Sequence, residues 1–399
     1  MLSLDQIYQA SYILKDIARK TDMIYAPEFV EGREIYLKTE NLQLTGSFKL
    51  RGAYYKISQL SEEQKACGII ACSAGNHAQG VALAATRMGI KSTICMPDGA
   101  PISKIEATKH LGAEVCLVNG TYDDAHDKAV ELQKENGATF IHPFDDDYVI
   151  AGQGTIGLEI LDQLKDVDAI LCPIGGGGLI SGVAYAVKSL NPNVKIYGVQ
   201  AANAPSMFES VRKGEAVTIK TCATFADGIA VKTPGETTLQ LVKKYVDDVV
   251  TVTEDQIAAA ILRLLERQKL ITEGAGAVSV AAAMFSNLPL EGKKTVCILS
   301  GGNIDVNILS RVITRGLITS GRNTTLQIAL EDKPGQLEGV SHIISKCGGN
   351  VIAVHHERSD ANMPISSCIL RVGMETRSFE QIEQIRAELV NAGFHIVSE

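Results

Sequence analysis

Lys49 stands in the run Leu44-Thr45-Gly46-Ser47-Phe48-Lys49-Leu50-Arg51-Gly52-Ala53, among small and apolar residues. A lysine held out of bulk water has an amine available to attack a carbonyl and form an imine. A lone lysine is ordinarily a solvated surface charge, so this chemistry depends on what the chain brings beside it. Three segments are suited to that. Gly68-Ile69-Ile70-Ala71-Cys72 runs into Ser73-Ala74-Gly75-Asn76-His77, Ala169 to Ile174 runs into Gly175-Gly176-Gly177-Gly178, and Val296 to Leu299 ends at Ser300-Gly301-Gly302-Asn303. An apolar run stopped by small residues before a helical pattern reads as a buried parallel strand. Ligands in such sheets bind beyond the carboxyl ends of the strands, so all three turns can face one crevice.

The four consecutive glycines can turn successive backbone N–H groups toward one anion, and the following helix adds its positive end. A phosphate is the natural guest; a flexible hinge is the alternative. No Gly-Lys-Ser or Gly-Lys-Thr closes the run, which excludes a nucleotide P-loop. An imine-forming lysine with a phosphate cradle suggests pyridoxal 5′-phosphate.

Taken together, Ser47 to Ala53, Ser73 to His77, Gly175 to Leu179 and Ser300 to Asn303 resemble the motifs of fold-type-II pyridoxal-phosphate enzymes, and within them the threonine dehydratases. The resemblance covers about residues 5–315, with the motifs in family order. It implies a two-lobed, mostly parallel α/β catalytic domain over 1–315, with a smaller lobe of about 46–140 inserted in the larger. It also implies that Lys49 carries the cofactor as a Schiff base and later acts as base, with Phe48 against the cofactor ring. Asn76 is expected to bond the ring oxygen, Gly175, Gly176, Gly177 and Gly178 with the Leu179 amide to hold the phosphate, and Ser300 to face the pyridine nitrogen. The segment Ser73, Ala74, Gly75, Asn76 and His77, at a helix start, is expected to grip the substrate carboxylate. The implied reaction is β-elimination of L-threonine to 2-oxobutanoate and ammonia, and of L-serine to pyruvate. Serine racemases of this family carry a serine where this chain has Ala74, and carboxylates for a divalent metal where Gln200 to Ser206 has none. Both departures disfavour a racemase; no metal ligand is expected, with room left for a monovalent cation. A β-replacing synthase is the enzyme alternative, and a non-catalytic amino-acid sensor the alternative of another class.

The elements that must position these residues alternate. Apolar runs at 92–96, 114–118, 139–142 and 194–200 are separated by helical stretches such as 104–110 and 122–135. Gly152-Gln153-Gly154-Thr155-Ile156-Gly157 matches a dinucleotide fingerprint but lacks its preceding strand and its acid about twenty residues on, so it reads as the glycine-rich start of a close-packed helix. With 399 residues, 45% hydrophobic and 21% charged, two or three domains with ample core are expected. A net charge of −8 and no tryptophan argue against nucleic acid. The first sixteen residues read as an amphipathic helix rather than a signal, and the apolar window 275–285 is too short to span a bilayer, so a cytoplasmic protein is expected. The nine cysteines include no C-x-x-C pair, and His355-His356-Glu357 alternates faces on a strand, so neither disulfide nor metal site is expected.

Beyond the chemistry, the segment 311–323 turns to Gly, Ser, Thr and Arg and reads as a linker, taken as 316–323. Strand 324–331, helix 335–346, strand 350–358, a turn at Ser359-Asp360-Ala361-Asn362, strand 365–373, helix 378–391 and strand 394–397 give the βαββαβ ferredoxin-like order. With Asp332-Lys333-Pro334-Gly335 before its first helix, the 324–399 region resembles the ACT regulatory domain. That implies an amino-acid or nucleotide effector at Pro334 and Gly335 and a homo-oligomer, dimer or tetramer; a purely oligomerising module is the alternative.

Overall fold

The computed structural model describes residues 1–358 and 364–397, so the expected turn at 359–362 lies outside the described residues. The chain divides into two compact units, Met1–Asp305 and Val306–Glu399. In the first, β1 (Met23–Val30) and β2 (Arg33–Lys38) form an antiparallel hairpin, followed by β3 (Ile69–Cys72), β4 (Ser92–Pro97), β5 (Glu114–Val118) and β6 (Thr139–Phe140). Then come β7 (Ala169–Pro173), β8 (Lys195–Ala201), β9 (Asp248–Val252) and β10 (Lys294–Ile298). They make two sheets, a small parallel one in the order β5-β4-β3-β6 and a larger one in the order β1-β2-β10-β7-β8-β9, parallel except for β1. β3 and β7 are buried along their whole length, as strands covered by helices on both faces must be. Among the described residues, no helix is long and apolar enough to cross a membrane.

In the second unit, β11 (Asn323–Glu331), β12 (Asn350–Glu357), β13 (Ser367–Glu375) and β14 (His395–Val397) pair antiparallel in the order β12-β13-β11-β14, with helices Gln336–Lys346 and Phe379–Asn391 between them. This is the split βαββαβ arrangement, closed over its own core of Leu326, Ile328, Val340, Ile344, Leu370, Val372 and Ile385. The expected linker is the element that differs. Val306–Thr319 is an α-helix and belongs to the second unit. Its interspersed Ser, Thr, Arg and Gly conceal apolar residues Leu309, Val312, Ile313 and Leu317 at helical spacing. The actual connection to β11 is only residues 320–322, turning at Gly321 with φ 66°.

The dinucleotide-like glycines are also placed differently from expectation. They lie in the middle of helix Asp147–Gln163, because Asp146 is the residue that caps it, its Oδ1 accepting from the amides of Tyr148 and Val149. Their use is close packing of three helices. A Cβ on Gly152 would lie 2.5 Å from the Arg51 carbonyl oxygen of helix Lys49–Ser58, and one on Gly182 of helix Gly178–Leu190 would collide with the Ile150 carbonyl oxygen. The helix carrying Lys49 and the helix opened by the glycine loop are thereby pressed against a common neighbour.

That contact is reinforced by ions. Arg51 donates to Glu40 at 2.8 and 2.9 Å and to Glu159 at 2.6 and 3.0 Å, and Lys38 donates to Glu159 at 2.6 Å. Arg51, Lys38 and Glu40 are buried, so each charge persists only because the others are present.

Gly182→Ala is expected to cost about 1–3 kcal/mol by overpacking, since the atoms in its way are backbone. Thermal unfolding measures it; a midpoint unchanged from the parent would contradict the packing argument.

Candidate active site

The segment before Lys49 is stitched to the exit of β10. Ser47 bridges to Gly301, the Phe48 amide donates to the Ser300 carbonyl at 3.2 Å, and the Gly302 amide donates to the Gly46 carbonyl at 2.8 Å. Lys49 is the first residue of its helix, and its Nζ donates to the Pro143 carbonyl oxygen at 2.7 Å. Burial lowers the Lys49 pKa to about 8, with the negative charge of Glu273 opposing the shift. An amine of this kind is neutral in a useful fraction near physiological pH.

The glycine loop leaves β7 and opens helix Gly178–Leu190, with Gly177 as N-cap at φ 98°. Side chains are excluded here by the surroundings. A Cβ on Gly176 would run into the Phe144 ring, and one on Gly177 would meet Met207 and Thr238 at 2.7 Å. The loop is held by its carbonyl side, with Thr238 Oγ1 donating to the Gly176 oxygen at 2.6 Å. The amides of Gly178 and Leu179 fall in the first turn, where a helix has no carbonyl for them. They are suited to an anion.

From the small sheet, β3 leads into residues 73–75 and the helix Asn76–Arg87. One amide of that turn is already used, since Gly75 N donates to Ser73 Oγ at 3.2 Å. Asn76 is fixed from both ends: its Oδ1 accepts from Asn303 Nδ2 at 2.8 Å, and its Nδ2 donates to Glu273 Oε1 at 2.6 Å. Asn303 also donates to the Thr45 carbonyl at 2.8 Å, which settles the orientation of both amides. Ser300 Oγ donates to the Ala275 carbonyl at 3.2 Å.

Phe48, Lys49, Ser73 to His77, Gly175 to Leu179 and Ser300 all line one cavity of about 710 Å³. Pro334 and Gly335 are in the second unit, where Gly335 caps helix Gln336–Lys346 at φ 91°. Sequence reasoning missed His142, Phe144 and Glu273 on the cavity wall, and it quoted Asn303 without a role. Glu273 directly precedes the small-residue helix Gly274–Phe285, and burial, followed by the charge of Asp227, raises its pKa to about 7. Nothing in the local pattern around it marks an unusual carboxyl. Among the described residues, no group of three or more His, Cys, Asp or Glu is arranged to hold a metal ion.

The lining can hold a phosphorylated aldehyde: glycine amides for the phosphate, a partly neutral buried amine for the carbonyl, and Asn76 and Ser300 for a polar ring. Residues 14–301 match the family described as pyridoxal-phosphate dependent enzyme. The chain is 50% identical over 398 residues, 99% of each sequence, to the L-threonine ammonia-lyase of Thermotoga maritima. Among solved structures it resembles the processed form of threonine deaminase isoform 2 from Solanum lycopersicum, with a TM-score of 0.74 and 41% identity over 78% of this chain and 93% of that one. It also resembles maize serine racemase, with a TM-score of 0.75 and 34% identity over 80% of this chain and 98% of that one.

His77 is buried with its Nε2 2.8 Å from the Ile141 carbonyl oxygen, and burial, with the charge of Lys49 second, pushes its pKa down to about 3. A ring kept neutral by the fold contributes stability that is present above the unfolded value of about 6.5 and is lost as pH falls toward the folded one. In NMR titration the His77 ring is expected to stay constant between about pH 5 and 8; a midpoint near 6.5 would contradict this placement.

Proposed function

This chain belongs to the pyridoxal-phosphate dependent enzymes, and we propose that it catalyses β-elimination of L-threonine to 2-oxobutanoate and ammonia, accepting L-serine as a second substrate. The observation that carries this reading is the buried Lys49 amine, with its lowered pKa, in one cavity with the glycine-opened helix and Ser300. Similarity over nearly the full length, at 50% identity, to an L-threonine ammonia-lyase supports the choice of substrate.

The residues divide the work by position. The glycines 175–178 and the Leu179 amide hold the cofactor phosphate, Phe48 flanks its ring, Asn76 Nδ2 serves the ring oxygen and Ser300 Oγ the ring nitrogen. To donate to a neutral ring nitrogen, the Ser300 hydroxyl would turn from the Ala275 carbonyl to which it donates here. The bound cofactor supplies a conjugated electron sink for the pair left when a Cα proton departs. Lys49 would anchor the cofactor and, as a free amine, would take that proton at Nζ. The Ser300 hydroxyl would leave the ring nitrogen neutral, where a carboxylate would protonate it, and the weaker sink would favour departure of the β-hydroxyl, as water once protonated, over a long-lived carbanion. The amides of the 73–77 turn not used internally receive the substrate carboxylate. At Ala74 the wall presents a methyl, which has no acidic proton to return to Cα and so weighs against racemisation despite the likeness to a serine racemase.

Lys49→Ala is expected to fold but to lose turnover by at least about 10³-fold, and Lys49→Arg to fail as well, because a guanidinium stays protonated. The rate of 2-oxobutanoate formation from threonine, with no added nucleophile, measures both. Normal rates in either variant sink the assignment of Lys49, and a requirement for a nucleophile turns the reading to a β-replacing synthase.

The second unit is proposed to regulate as an ACT-like domain, with an amino-acid or nucleotide effector at the Pro334-Gly335 turn. Each motif assigned to chemistry lies before it, and a serine racemase that matches 98% of its own length covers only 80% of this chain. An effector that prefers one state by about 1–3 kcal/mol changes apparent affinity about 5- to 150-fold. A chain ending at Arg322 is expected to keep threonine turnover and to lose that response, tested with branched-chain amino acids and nucleotides. An unchanged response in the shortened chain removes the regulatory role; loss of cofactor binding makes the unit structural.

A further inference from the structure

We propose that Glu273 is the positioning residue of this cavity: its carboxyl, set between two glycines, orients Asn76 and supplies the negative charge that governs when Lys49 becomes a neutral amine. The inference rests on the cofactor reading of the cavity and names a residue that the motifs do not contain.

Four observations place it. Glu273 is 3% exposed yet lines the cavity. As the N-cap of helix Gly274–Phe285 it makes no side-chain cap bond, so its carboxyl is not used for the task that an acid there ordinarily performs. Instead Oε1 accepts from Asn76 Nδ2 at 2.6 Å. The slot it occupies exists only because its walls lack side chains: a Cβ on Gly301 would collide with Oε1, and one on Gly228 would lie 3.1 Å from it.

The charged groups that face it come from several elements. Lys49 opens one helix, Lys104 lies on helix Ile102–His110, and Asp227 lies in the short turn Asp227–Ile229. Lys104 and Asp227 are paired with each other, so their effects on Glu273 oppose and leave Lys49 as its unmatched cationic neighbour. His77 and His142 feel Lys49 as well, and burial lowers the pKa of both. An ionised Glu273 therefore favours the ammonium form of Lys49, and a protonated or amide side chain favours the free amine. While Glu273 holds a proton, Lys49 is released to react at lower pH.

The test uses the full chain freed of cofactor, with pyridoxal phosphate as probe and visible absorbance of the lysine-bound form read against pH. Glu273→Gln keeps an acceptor for Asn76 but no charge, so its midpoint is expected about 1 unit below that of the parent, with affinity at the plateau unchanged. Glu273→Asp keeps the charge but falls short of Asn76, so its midpoint is expected to stay and its plateau affinity to drop about tenfold. An unmoved midpoint in the Gln variant overturns the charge role, and an unmoved plateau in the Asp variant overturns the orientation role. Should either variant fold poorly, infrared spectra of the parent decide: a buried carboxylic-acid band is expected to vanish with a midpoint near 7, and its absence across that range overturns the proposal. No amino-acid substrate enters these measurements. Lack of threonine turnover alone therefore overturns only the assigned reaction, whereas a parent that binds no pyridoxal phosphate overturns the cofactor reading and this inference together.

Discussion

The position of Lys49 depends on a guanidinium two residues away. Positions i and i+2 lie about 200° apart around a helix, so Arg51 can be locked on one side while Lys49 faces the cavity on the other. Arg51 ties its helix to the Glu40 turn and to Glu159 on the neighbouring helix, and Lys38 completes a set of two cations and two anions. Burial works against every one of these charges, and for Arg51 the carboxylates of Glu40 and Glu159 outweigh it and keep the cation. Removing one member of such a set commonly costs about 3–5 kcal/mol because a charge is left behind without a partner. The same helix meets Gly152 at backbone distance, so neither sliding nor rotation is open to it without breaking ions or colliding main chain.

Two buried cations thus lie close in sequence, Arg51 and Lys49, and, though burial opposes both charges, their pKa values shift in opposite directions. Around Arg51, every charge has a direct opposite partner, and Arg51 also donates to the Arg19 carbonyl and to Thr155. There the two carboxylates raise the Arg51 pKa against the burial that opposes it, so the guanidinium keeps its charge. Around Lys49, the cation has one carbonyl acceptor and the nearby charge of Glu273, which is too little to repay desolvation. Its proton is loosely held. The contrast in fixed partners, rather than depth alone, separates a structural cluster from a reactive one.

Sheet order explains why segments so distant in sequence meet. β10 and β7 are neighbours in the larger sheet and parallel, so Ser300 and the glycine loop leave its carboxyl edge side by side. β3 lies inside the smaller sheet and sends residues 73–77 out of its own carboxyl end. Residues 46–48 are laced to 300–302, which brings the start of the Lys49 helix to the end of β10. No single loop forms the site; it forms where the ends of two sheets converge.

What could be read from the sequence follows from this geometry. The Lys49 run, the Asn76 turn, the four glycines and Ser300 are local signals, because each is a strand stop or helix start whose chemistry is written in adjacent letters. The βαββαβ order was legible for the same reason, since alternation and turn residues mark each element. The helix 306–319 was obscured by the Gly, Ser, Thr and Arg interspersed among its aliphatic residues, and the mid-helix glycines were misplaced because the cap that starts their helix, Asp146, stands upstream of the fingerprint and is no part of it. Glu273 and Asn303 were not legible in their roles at all. Their significance lies in contacts with Asn76 across 197 and 227 residues of chain, and no local pattern distinguishes an acid that will end in a glycine-walled slot from one that will cap a surface helix. Burial gives Glu273 its altered acidity, and burial is a property of the assembled sheets and helices around it. A motif can therefore name the residues that touch a ligand, while the residues that set their protonation and orientation emerge only from packing.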